Sequence, residues 1–223
     1  MDILGLRAVH IVIGVMVIVS GLIALLVKKG SIPHKVVGQC FVVSQVIIGL
    51  VVLAQAWFTP ERISSLGILF VFFILYLVVS AWLTIHRPKA NIKSLDMAMP
   101  FMALAIATAG VVMGFNALHH PNTAKNLAPT EAYFLFSALA FMAMLLDVRY
   151  LNKHGLQGKQ RIIRHVWRMG CAWCFAVSAP FSQGGVVLAW ISADPVLSMA
   201  QMLLVGAAIF AVYQFRTYAF HRN

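Results

Sequence analysis

Residues 64–86 read SSLGILFVFFILYLVVSAWLTIH, with Arg62 before them, Arg87 after them, and no Asp, Glu, Lys or Arg between. A helix rises about 1.5 Å per residue, so a stretch of this length spans the roughly 30 Å of bilayer hydrocarbon. Lipid offers the backbone no hydrogen bonds, so the segment must satisfy its own N–H and C=O groups, which makes it a helix. Six further stretches read the same way: 4–27, 35–58, 97–118, 131–148, 165–191 and 196–218. The expectation is an all-α integral membrane protein of seven transmembrane helices, forming a single helical-bundle domain over residues 1–223.

Composition agrees. Of 223 residues, 61% are hydrophobic and 10% charged, and the mean hydropathy is +0.89. A soluble domain has about 45–50% apolar and about 25% charged residues. Six acids are too few to solvate a water-facing surface, so a soluble domain, a disordered chain and a fibrous repeat are excluded. Three cysteines, all within apolar stretches, do not make a disulfide framework.

The connections punctuate the helices. Thr59-Pro60-Glu61, Pro129-Thr130-Glu131 and Asp194-Pro195 offer N-caps before the third, fifth and seventh stretches. Lys28-Lys29-Gly30 is a stop signal for the first. Pro180 and Gly184-Gly185 interrupt the sixth, which is expected to kink or end near Ser182. The first stretch lacks a basic leader and a small-residue cleavage pattern, so it is read as a permanent helix. The longest polar connection, about 149–164, is too short to fold alone.

A net charge of +11 raises the question of nucleic acid, but the basic residues lie between apolar runs. With the N-terminus outside, the cytoplasmic side carries 14 of the 17 Lys and Arg. The outer side keeps three, Arg7, Arg62 and Lys125. The positive-inside rule therefore gives N-out, C-in, with the anionic bilayer surface as partner and no nucleic acid required. Lys-Lys-Gly-Ser-Ile-Pro-His over 28–34 and Lys-Gln-Arg-Ile-Ile-Arg-His over 159–165 each lead into a helix, with Cys40 and Cys171 six residues after His34 and His165. This pairing invites a three-plus-one-plus-three arrangement of parallel repeats.

Histidines at membrane depth are functional candidates by default. His10 sits two turns into the first helix with Gly14 and Gly21 on roughly its face. His119 and His120 end the fourth on the same outer side, where Gln55, Gln183 and Gln201 also lie. The inner group is larger: His34, His86 and His165 stand at three helix ends beside Arg87, Arg164 and Arg168, with Asp147 at the same level to pair with an arginine or orient a histidine. Two imidazoles from facing helices hold a b-type haem, and His34 with His165, or His10 with His119 or His120, meet the depth requirement. The bland reading of each is a histidine among headgroups or bonded to a loop carbonyl. Cys171-Ala172-Trp173-Cys174 and the eleven methionines fit Cu(I), but in apolar helices they read better as core packing. The neutral polar side chains of the mid-membrane region, Tyr76 among them, read as helix packing. The seventh stretch has no lysine for a retinal Schiff base. The chain contains no H-E-x-x-H, G-x-S-x-G or P-loop, and no acid near the bilayer centre for a proton relay.

Val9-His10-Ile11, Gly30 through His34, and His165-Val166-Trp167-Arg168-Met169 together resemble a family of uncharacterised bacterial multi-pass inner-membrane proteins. The resemblance implies a bacterial inner membrane and draws attention to His10, His34 and His165, but supplies no activity. Three functions stay open. In the first, the protein binds a redox cofactor, a b-type haem or transition metal, with a quinone pocket beside it. His34 and His165 are then inner ligands, Arg168 is the partner of a carboxylate or propionate, and His10 and His119 form an outer site. The second is a small-solute transporter of two three-helix halves, and the third a structural or assembly subunit of a membrane complex.

Overall fold

The computed structural model describes residues 3–60, 63–87, 92–120, 130–180 and the single position 204. These form six α-helices: α1 (Ile3–Leu26), α2 (Ile32–Phe58), α3 (Ser65–His86), α4 (Ser94–His119), α5 (Thr130–Asn152) and α6 (Gly158–Ser178). Five of them contain segments long and apolar enough to cross a membrane: Ala8–Leu26, Ile32–Phe58, Ser65–His86, Ser94–His119 and Thr130–Asn152. The described residues are thus all-helical in their regular structure, and the apolar helices are those of a multi-pass membrane protein. The expected seventh helix at 196–218, apart from position 204, the Gly184-Gly185 interruption, and Gln183 and Gln201 lie outside the described residues.

The helix ends follow local chemistry. α3 is capped by Ser64, whose Oγ accepts from the Gly67 N–H at 3.1 Å; the cap is this serine, not the Thr59-Pro60-Glu61 stretch expected from the sequence. At the start of α4, Asp96 accepts the Lys93 backbone N–H at 3.0 Å and Arg87 Nε at 3.1 Å on one carboxylate oxygen. It caps its own helix while neutralising the arginine that ends α3. α1 ends at Leu26, and the chain turns at Gly30, whose φ of +76° suits a residue without Cβ. α6 starts at Gly158, seven residues before the expected 165, because the basic stretch is itself helical. It ends at Ser178, shortly before Pro180.

The chain divides into two compact units, one of Met1–His10 with Val46–Arg168, the other of Ile11–Gln45 with Met169–Asn223. In the first, α3 lies against α4 and α5, which pair along their length. Small residues suit that pairing: Ala103, Ala107, Gly110, Gly114 and Ala117 of α4 are buried, and Gly110 and Gly114 face Tyr133, Phe134 and Ser137 of α5. A Cβ at Gly110 would overlap Ser137 Oγ, and one at Gly114 would stand 3.0 Å from the Phe134 ring. Phe136 of α5 meets Phe70 and Phe73 of α3 edge-on at 5.6 and 5.9 Å. In the second unit the Trp173 indole covers Gly21, which has no side chain to obstruct it, and donates to the Ile18 carbonyl at 3.1 Å. Outward-facing positions are Val, Ile, Leu and Phe, such as Val12, Leu50, Phe101 and Val112, the surface that a lipid solvent selects.

Candidate functional site

The polar residues of α3 fall four apart: Tyr76, Ser80, Thr84. Four residues is close to one helical turn, so they form a stripe on one face of an otherwise apolar helix. Residues Arg161, Arg164, His165 and Arg168 of α6 have the matching spacing. The two stripes meet, with Asp147 and Tyr150 of α5 alongside.

Asp147 is the hub. Its Oδ1 accepts Nη2 of Arg164 at 2.7 Å and Nη2 of Arg168 at 2.5 Å, and its Oδ2 accepts the Tyr76 hydroxyl at 2.5 Å. Arg168 Nη1 donates to Ser80 Oγ, which directs its own proton to the Tyr76 carbonyl at 2.6 Å. Arg164 Nε donates to Thr84 Oγ1 at 3.0 Å, and that hydroxyl donates to the Ser80 carbonyl at 2.7 Å. The Arg164 guanidinium also lies over the Tyr150 ring, 4.1 Å from its centroid. Nearer the helix start, Arg161 caps the C-terminus of α3, donating to the carbonyls of Thr84, Ile85 and Arg87. Arg168 is 0% exposed and Asp147 1%.

This half of α6 is an amphipathic helix with its polar side inward. The arginines face α3 and α5, while Ile162 and Ile163 are 58% and 54% exposed. A buried charge is tolerated when paired and hydrogen-bonded, and Asp147 is paired with both Arg164 and Arg168.

The histidines separate into two kinds. His86 and His119 place Nδ1 on carbonyls of their own helix turn, Trp82 at 2.9 Å and Phe115 at 2.7 Å, and both are exposed. His34 and His165 reach another helix: His34 Nδ1 lies 3.1 Å from the Ala24 carbonyl of α1, and His165 Nδ1 lies 3.2 Å from the Ala81 carbonyl of α3. A carbonyl only accepts, so Nδ1 carries the proton in both rings, and the lone pair of the neutral ring is on Nε2. His34 takes its carbonyl from the preceding helix and His165 does not, so the parallel between their sequence surroundings stops short of their bonds. Ala24 O also accepts Lys29 Nζ at 2.8 Å, and burial pushes that ammonium down to about 8. His10 has its Nδ1 buried without a hydrogen-bond partner among the described residues.

Of the residues expected from the sequence, the structure brings Asp147, Arg164 and Arg168 together, and Arg168 finds its carboxylate within the chain. Among the described residues, neither His10 nor His119 is joined to another candidate by a hydrogen bond. Tyr76, Ser80 and Thr84 belong to the site although the sequence reading assigned Tyr76 to packing; their four-residue spacing was the available signal. Among the described residues, no group of three His, Cys, Asp or Glu is placed to hold a metal ion. No protein-family model, curated protein or solved structure matches the chain.

Proposed function

We propose that this multi-pass membrane protein binds a redox cofactor, a b-type haem or a single transition metal, through histidines at helix ends, His34 and His165 each being a candidate ligand. The observation carrying this reading is the bond each Nδ1–H makes to a carbonyl of another helix. Ligating histidines use such bonds to fix ring orientation and tautomer and to make Nε2 a better donor. A haem needs only one or two imidazoles from the protein, so the reading does not depend on a cluster of metal-binding side chains. His10, with its unsatisfied buried nitrogen, and His119 are assigned to a second, outer site for the same cofactor class or a quinone. The reading keeps seven spans, N-out and C-in, in a bacterial inner membrane; reporter fusions at each connection test that topology.

An absorption spectrum of the purified protein, with metal analysis, tests the function. The expected result is a Soret band, or stoichiometric metal, that is lost in His34→Ala and in His165→Ala. A colourless, metal-free preparation that develops no Soret band on adding haem refutes it.

A further inference from the structure

We propose that Cys171 and Cys174 of α6 form a two-coordinate site for a soft monovalent metal ion of the Cu(I) class. α6 runs without interruption from Gly158 to Ser178. The two residues are therefore three apart on one continuous helix, and their side chains share a face. Both carry thiols rather than a disulfide, and they stand near enough to interact electrostatically.

Distance decides what such a pair can do. A helix holds the Cβ atoms of residues i and i+3 about 5–6 Å apart, whereas a disulfide needs about 3.5–4.5 Å. The pair cannot close a disulfide without unwinding α6. A metal–thiolate bond is about 2.3 Å, so an ion set between two sulfurs holds them about 4.6 Å apart, a span this spacing allows. Thiolates select soft ions. Zinc takes four ligands, and among the described residues no group of three His, Cys, Asp or Glu is placed to hold a metal. Cu(I) is satisfied by two sulfurs.

The surroundings favour a neutral complex. Ala172, Trp173 and Phe175 beside the pair are buried, and Cys174 is only 8% exposed, so a net charge there is costly. Cu(I) entering with loss of one proton to solvent leaves one sulfur bound as thiolate and the other as thiol, with no net charge. Cys171 is half-buried and is the sulfur an incoming ion meets first.

The test is an anaerobic Cu(I) titration of the purified full-length protein in detergent, in competition with a chromophoric Cu(I) chelator. The expected result is one equivalent withdrawn by wild type and by Cys40→Ser, and none by Cys171→Ser or Cys174→Ser. His34→Ala and His165→Ala should retain the uptake, because the site does not rest on the histidine reading and survives its failure. X-ray absorption of the loaded wild type should show a shell of two sulfurs, a readout that needs no variant to fold. Absence of uptake by wild type overturns the proposal. So does uptake that persists without both Cys171 and Cys174, uptake lost in Cys40→Ser or His34→Ala, or a nitrogen shell around the copper.

Discussion

The Tyr76 hydroxyl donates to Asp147 Oδ2 at 2.5 Å, linking the middle of α3 to the last third of α5. Two arginines occupy the opposite oxygen, so the carboxylate is held from both sides by three donors. Removing different members of this set has different consequences, because only Asp147 carries negative charge.

Tyr76→Phe deletes one hydrogen bond to a charged acceptor and should lower stability by about 1.5–3 kcal/mol. Asp147→Ala strands two buried guanidiniums and should lower it by about 3–5 kcal/mol. Detergent unfolding curves of the two variants check the order. A Tyr76→Phe loss equal to that of Asp147→Ala would mean that stranding the two guanidiniums costs no more than one lost hydrogen bond.

The α4–α5 seam makes a separate prediction. Gly110→Leu forces a side chain where Ser137 Oγ, Leu69 Cδ2 and the Tyr133 carbonyl already stand. Overpacking of this kind lowers stability by about 1–3 kcal/mol. Gly38→Leu, at a position with nothing within 4 Å of a new Cβ, is the matched control and should leave the unfolding midpoint nearly unchanged.

His154, in the turn after α5, holds a φ of 51° and is exposed. A residue with a Cβ is disfavoured there by about 1–2 kcal/mol. His154→Gly should therefore raise the unfolding midpoint, with some of the gain offset by the flexibility of glycine in the unfolded chain.

Lys29 sets a pH dependence. Burial pushes its ammonium from 10.5 down to about 8, while in the unfolded chain it keeps its proton to near 10.5. Between these values the unfolded state binds more protons, so stability rises as pH increases through this window. The difference in midpoint between wild type and Lys29→Gln, followed from pH 7 to pH 10.5, should shift in favour of wild type as pH rises.

Five helices were legible because lipid reduces the problem to length and hydropathy. The boundaries read for α3 and α5 differ from the structure by only a few residues. α6 was harder for a physical reason. A charge count treats Arg161 and Arg164 as facing water, and so places the start of the helix at His165. In the folded chain those side chains point at α3 carbonyls and at Asp147, contacts that a one-dimensional reading does not contain. The pairing of Asp147 with nearby arginines was readable from their common level; Tyr76 was signalled only by its four-residue spacing from Ser80 and Thr84, because a tyrosine in an apolar run looks like core until its partner is known. Gly110 and Gly114 were similarly silent, since their spacing matters only once α5 is known to lie beside them.

Among the described residues of other helices and connections, those that receive the arginines of α6 precede them in the chain: Tyr76, Ser80, Thr84 and Ile85 on α3, Arg87 just after it, and Ala143, Asp147 and Tyr150 on α5. A segment bearing three arginines resists entering lipid unaided, at about 2.5–3.5 kcal/mol for each one near a helix centre. During synthesis, however, the residues of its socket are made before it is. The order of the helices along the sequence thus means that α6 joins a chain in which all of these partners are already present.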